Sequence, residues 1–158
     1  MDIQKMIDSY ANWIKERITF EKVNEYYEIT TPYLDRFDDF LQIYVKQLKD
    51  GTIYMTDDGY IIGNLLSCGL SLRKNSNKFK ILERIVNNYG LQLKGEEITT
   101  KAELNNFPLK KHLMVQAMLS VDNMFELRKE NVKNLFLEDV IEYFDKNDIF
   151  SVSYTHLT

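Results

Sequence analysis

The tightest constraint on this chain is the stretch "FLQIYVKQLKDGTIYMTD", residues 40–57. Leu41, Ile43 and Val45 alternate with Gln42, Tyr44 and Lys46, the period-2 pattern of a half-buried strand. Ile53 and Met55 begin the same alternation after Asp50-Gly51. A two-residue Asp-Gly loop would set Val45 against Thr56 and Lys46 against Met55, mixing apolar and polar across the pair. A three-residue loop, Lys49-Asp50-Gly51, sets Val45 against Met55 and Gln47 against Ile53. It puts Val45, Ile53 and Met55 on one face. The expectation is therefore a hairpin over 40–48 and 52–57, with a type I turn, Gly51 left-handed and a bulge.

The flanking segments extend this pattern. Ile3, Met6, Ile7, Tyr10, Ile14 and Ile18 recur at helical spacing, with Asp2 as cap, and predict an amphipathic helix over 3–18. "EYYEITT", 25–31, reads as a strand ended by Pro32. The apolar run after Gly59 predicts a short buried helix over about 61–67, stopped by Gly69, with a strand as the alternative. Ser76 and Gly90 bracket a helix, and 91–101 reads as a hairpin turning at Gly95. Pro108 opens a helix whose apolar residues spread all round it, so it is expected to be central. A last helix covers 132–148. The order α-β-β-β-α-α-β-β-α-α predicts an α+β fold, a mainly antiparallel sheet of about five strands with four to five helices.

Composition narrows the function classes. No apolar run approaches the roughly 18 residues of a membrane span, and "MDIQKMIDSY" is no secretion signal. A single cysteine, Cys68, permits no internal disulfide and no cysteine-based metal site, and a reducing cytoplasm fits it. The net charge of −4 conceals blocks: residues 73–111 hold nine basic and four acidic side chains. Arg73, Lys74, Lys110 and Lys111 in that block are candidate contacts for an acidic partner.

The acidic candidates are Asp57 and Asp58, before Gly59, and Asp35 with Arg36 in "YLDRFDDF". Adjacent strand residues point to opposite faces, so Asp57 and Asp58 form no paired-carboxylate site unless a turn redirects one. A turn and a helix cap are the expected uses. With Asp38 and Asp39 these acids could surround a hard cation, but calcium-loop spacing is absent. A nuclease strand needs an acid two before its lysine, and Tyr44 stands there before Lys46. His112 and Cys68 show no nucleophile pattern, and no phosphate-binding glycine loop is present. No catalytic residue, metal or cofactor is expected.

"TPYLDRFDDFLQIYVK", "MTDDGYIIGNLLSCGLSL", "NNYGLQL" and "NFPLKKHLMVQAMLSVDNMF" occur in that order. Together they resemble a bacterial and phage family catalogued as domain of unknown function 1828, over about Val23 to Phe125. "FLEDVIEYFDKNDI", 136–149, resembles the start of the associated family 1829 domain, whose look is nuclease-like. "VSYTHLT", 152–158, resembles the translation of a transposon-end sequencing adapter, as at broken metagenomic gene ends. On this reading residues 1–130 form the α+β domain, 131–151 a C-terminal helix or truncated second domain, and 152–158, with His156, an artefactual tail. The resemblance implies a phage or mobile-element setting. The expected function is a non-enzymatic binding protein, an inhibitor of a host defence system such as a CRISPR nuclease or a nucleotide signal. Its partner is then a protein, a nucleic-acid complex or a small acidic ligand. The alternative is a regulatory or targeting module of a longer, nuclease-like enzyme.

Overall fold

A computed structural model describes residues 1–147. The tail expected at 152–158, including His156, lies outside the described residues. The elements run α1 (Ile3–Arg17), β1 (Thr19–Val23), β2 (Tyr26–Leu34), β3 (Phe40–Gln47), β4 (Ile53–Thr56), α2 (Tyr60–Ser67), α3 (Asn77–Asn88), β5 (Gln92–Lys94), β6 (Glu97–Ala102), α4 (Phe107–Asp122), a 3-10 turn (Asn123–Leu127) and α5 (Lys129–Lys146). The fold is α+β, with one antiparallel sheet in the order β1-β2-β3-β4-β6-β5.

The β3–β4 hairpin has the register expected of a three-residue loop, with Val45 opposite Met55 and Gln47 opposite Ile53. Gly51 is left-handed at φ 84° and donates its N–H to the Leu48 carbonyl at 3.0 Å. The turn chemistry thus aims Ile43, Ile53 and Met55 at one face, where all three are buried. α4 packs over that face, against β6, α2 and α3. Met114, Val115, Ala117, Met118 and Val121 of α4 are buried, as a helix apolar all round requires. Asp2 and Ser76 cap α1 and α3, accepting from the amides of Lys5 and Phe79.

The expected α+β fold with a mainly antiparallel sheet of about five strands holds, with one strand added and one strand end moved. The sheet has six strands, because Thr19–Val23 pairs with β2 through a two-residue loop in which Asn24 takes the left-handed conformation (φ 57°). Pro32 does not end β2. The strand continues to Leu34 through a register shift between Thr30 and Leu34, the kind of site where a residue without an N–H is tolerated. Thr31 Oγ1 donates there to the Leu41 carbonyl at 2.9 Å.

Glycine substitutions separate the two backbone environments. Gly63 lies within α2 with open space around it, so Gly63→Ala is expected to stabilise by about 0.5–1 kcal/mol. Gly51→Ala has equal space but a left-handed backbone, and is expected to destabilise by about 1 kcal/mol. Urea midpoints at constant m-value test the pair, and shifts in the same direction would contradict it.

Candidate functional site

The first candidate grows out of the end of β4. After Thr56 the chain turns through Asp58 (φ 55°) and Gly59 (φ 74°), both left-handed, into α2. That turn swings two amides back onto Asp57. Its Oδ1 accepts from Gly59 N–H at 3.1 Å and from Ile98 N–H of β6 at 2.8 Å. Its Oδ2 accepts from Ile61 N–H at 3.3 Å. Asp57 is fully buried. Burial pushes its pKa up to about 6, against the amide donors that favour the ionised form. Asp58 is exposed and its amide donates to Thr56 Oγ1 at 3.0 Å. The two carboxylates therefore share no site: one caps and cross-links, the other faces solvent.

The second candidate is the β2–β3 loop. Asp35 Oδ1 accepts from the amides of Phe37 (2.8 Å) and Asp39 (3.0 Å), and its Oδ2 accepts from Tyr60 O–H at 3.0 Å. Arg36 pairs with Asp122 at the end of α4, through its guanidinium and through its own amide, which donates to Asp122 Oδ2 at 3.0 Å. The guanidinium lies between the rings of Phe37 and Phe125, 4.6 and 4.7 Å from their centroids. Its Nη2 reaches Cys68 Sγ at 3.8 Å. Burial raises the pKa of Asp122 and the Arg36 contacts oppose that shift. Among the described residues no group of three or more His, Cys, Asp or Glu could hold a metal ion.

The basic block does not converge on one site. Arg73 and Lys74 are exposed in the turn before α3. Lys110 donates to the Gly90 carbonyl behind α3 at 3.4 Å. Its neighbour Lys111 points elsewhere, into a groove of about 610 Å³. His112 is exposed on the same helix.

That groove was not visible in the residues singled out from the sequence. It forms where the core-facing side of the sheet outruns its helical cover. Ile43, Ile29 and Phe20 are successive partners in one cross-strand row. Ile43 is fully buried, Ile29 half-buried, and Phe20 72% exposed. The row Met55, Val45, Tyr27 runs from buried to exposed in the same way. Phe107, Pro108 and Lys111 of α4 form the wall, and Ile18 also lines the groove. Phe20 and Tyr27 meet edge to face at 6.3 Å. Desolvation lowers the pKa of Lys111, and no carboxylate lies within ion-pair distance among the described residues. The one signal in the sequence was the alternation of Tyr27 and Ile29, which marks a core face but not where its cover stops.

Substitutions at the two acidic nodes test these roles. Asp57 has a higher pKa folded than unfolded, so its contribution to stability falls as pH rises from about 4 to about 6. The change amounts to roughly 3 kcal/mol at most. Asp57→Asn is expected to erase that dependence. At neutral pH it also costs about 1–3 kcal/mol, because an amide NH₂ cannot accept the bonds a carboxylate accepts. Urea denaturation of both proteins across pH 4–8 reads the difference, and parallel curves would refute the assignment. Arg36→Ala strands the buried Asp122 carboxylate and is expected to cost about 3–5 kcal/mol by the same assay. A loss under 1 kcal/mol would mean that the pair does not pin the loop.

No helix among the described residues is long and apolar enough to cross a membrane. Comparison with curated proteins and with solved structures returned no match. The family model described as domain of unknown function DUF1828 matches residues 31–121, from the β2 bulge through the Asp57 turn to the end of α4. Over that span lie the Asp57 turn, the Asp35–Arg36 loop and the α4 wall of the groove, with Asp122 one residue beyond it, and the chain belongs to the DUF1828 family.

Proposed function

We propose that this protein acts by binding and not by chemistry of its own, and that its groove takes an amphipathic polypeptide segment. One observation carries the reading: core-facing side chains run out of cover beside a partly desolvated ammonium with no ion-pair partner among the described residues. Apolar surface of this kind is stabilised by burial at about 25 cal/mol per Å². Its aromatic floor of Phe20 and Tyr27 supplies the anchors that dominate protein interfaces. Lys111 adds selectivity for a segment with a carboxylate at its edge. The buried acids support the same reading from the other side, because Asp57, Asp35 and Asp122 are engaged in internal bonds. A single cation supports a polypeptide over a nucleotide signal, whose phosphates call for several donors. Inhibition of a host defence protein, by covering one of its helices, is the form of anti-defence activity that such a groove supports.

A second reading, a module that docks beside another domain, is supported by α5. Its Val132, Leu135, Phe136 and Ile141 are all exposed, and a helix with that much apolar surface calls for a neighbour. Fast amide exchange along α5 in the isolated chain is expected, and strong protection there would end this second reading.

The groove is tested with 8-anilinonaphthalene-1-sulfonate, an apolar ring system carrying one anion. The titration uses the wild-type chain and Tyr10→Glu, which places a charge on the exposed apolar stripe of α1. Saturable, blue-shifted fluorescence is expected in Tyr10→Glu at pH 7. Adding Phe20→Glu should weaken it at least about tenfold, and adding Lys111→Ala by several-fold. Absence of saturable binding in Tyr10→Glu would remove the groove as a binding site.

A further inference from the structure

Besides the groove, a second apolar surface has no partner among the described residues. α1 buries none of its residues. Ile3, Met6, Ile7, Tyr10 and Trp13 form a stripe along it and stay 46–62% exposed. An amphipathic helix is held by the surface its stripe covers, since helices this short are marginal alone in water. The stripe therefore needs an apolar counterpart, and the groove needs an apolar occupant.

Resting on the reading of the groove as a polypeptide site, we infer that its occupant is α1 of a second copy of this chain, exchanged reciprocally in a twofold dimer. The chain's own helix cannot take that place. α1 ends at Arg17 and β1 starts at Thr19, so Ile18 alone joins them. Reversing direction to lie along the groove calls for a connection of several residues. Ile18 lines the groove and no residue of α1 does, so α1 departs from its own groove at that residue, as an exchanged arm does.

Area and charge fit the same occupant. Tyr10, Trp13, Phe20 and Tyr27 keep about half to three-quarters of their surface exposed. For aromatic side chains of about 150–250 Å² each, that is on the order of 400 Å². Ile3, Met6 and Ile7 add to it, and in a reciprocal exchange each chain buries both its stripe and its groove. The total approaches the roughly 800 Å² per partner of a stable interface. Asp2 and Glu16 lie one turn from Met6 and Trp13 along one edge of the stripe. They supply the carboxylate that Lys111 lacks among the described residues. A twofold exchange is also self-complementary, so one helix face and one groove per chain suffice.

The test measures the mass of the full 158-residue chain by light scattering across a concentration series, with Trp13 fluorescence read in parallel. Trp13 is the sole tryptophan and sits on the stripe. The wild type is expected at twice the 18.8 kDa chain mass, with Trp13 emission moving to longer wavelength on dilution. Tyr10→Glu and Phe20→Glu change exposed positions on the helix and in the groove. Each is expected to run as a monomer that keeps cooperative urea unfolding, with a far-ultraviolet circular dichroism loss no larger than the 15 residues of α1 account for. In Phe20→Glu, Trp13 should emit as an exposed indole at every concentration, which pairing of α1 with α1 would not produce. A monomeric wild type at about 100 μM would overturn the inference, as would a dimer undisturbed by Phe20→Glu. If the wild type is monomeric while the naphthalene sulfonate still binds Tyr10→Glu, the exchange falls and the binding reading stands. If the probe fails to bind Tyr10→Glu, the binding reading falls with it.

Discussion

A buried carboxylate at the meeting point of β4, α2 and β6 is the constraint on which the rest of this structure depends. Asp57 accepts amide hydrogens from its own turn, from the first turn of α2 and from β6. Each of those amides would otherwise be a buried donor with no acceptor, at about 1–3 kcal/mol apiece. The backbone pays for this geometry with two consecutive left-handed residues, Asp58 and Gly59. Once that turn is made, α2 starts in one direction only, and its Ile61, Ile62 and Leu65 enter the core beneath α4.

The same logic recurs at the β2–β3 loop. Arg36 ties the loop to the C-terminal end of α4 through Asp122, and Asp35 ties it to Tyr60 of α2. Asp35, Arg36 and Asp57, three of the charged groups that drew attention in the sequence, are thus consumed as pins between elements. What they leave outside is apolar: the uncovered end of the sheet, the stripe of α1 and the surface of α5. The binding proposed for these surfaces rests on that division of labour. It is polar chemistry inside, for specificity of the fold, and apolar area outside, for association.

Local patterns were legible in the sequence wherever the determining physics is local. The β3–β4 register followed from matching apolar faces across a glycine turn, and the caps at Asp2 and Ser76 from side chains within reach of the first amides. The central place of α4 followed from apolar residues on all its sides. β1 was missed because its residues, exposed except for Val23, give no clean alternation. The bulge at Pro32 was missed because proline usually ends a strand. Arg36 and Asp122 stand 86 residues apart, so nothing near either one announced the pair. Lys110 and Lys111 looked like one basic patch, yet adjacent positions on a helix sit about 100° apart, and they serve different surfaces.

By itself, then, the sequence determined the fold class, the hairpin register and the turn role of Asp57-Asp58-Gly59, because each rests on periodicity or on backbone preferences a few residues wide. Tertiary structure alone decided which carboxylate would be buried and where the sheet's helical cover would end. It also decided that Lys111 would stand beside Phe20 and Tyr27 with no carboxylate partner among the described residues. Those outcomes depend on how far α4 extends across six strands. That reach is set by the packing of distant segments, which no local pattern encodes.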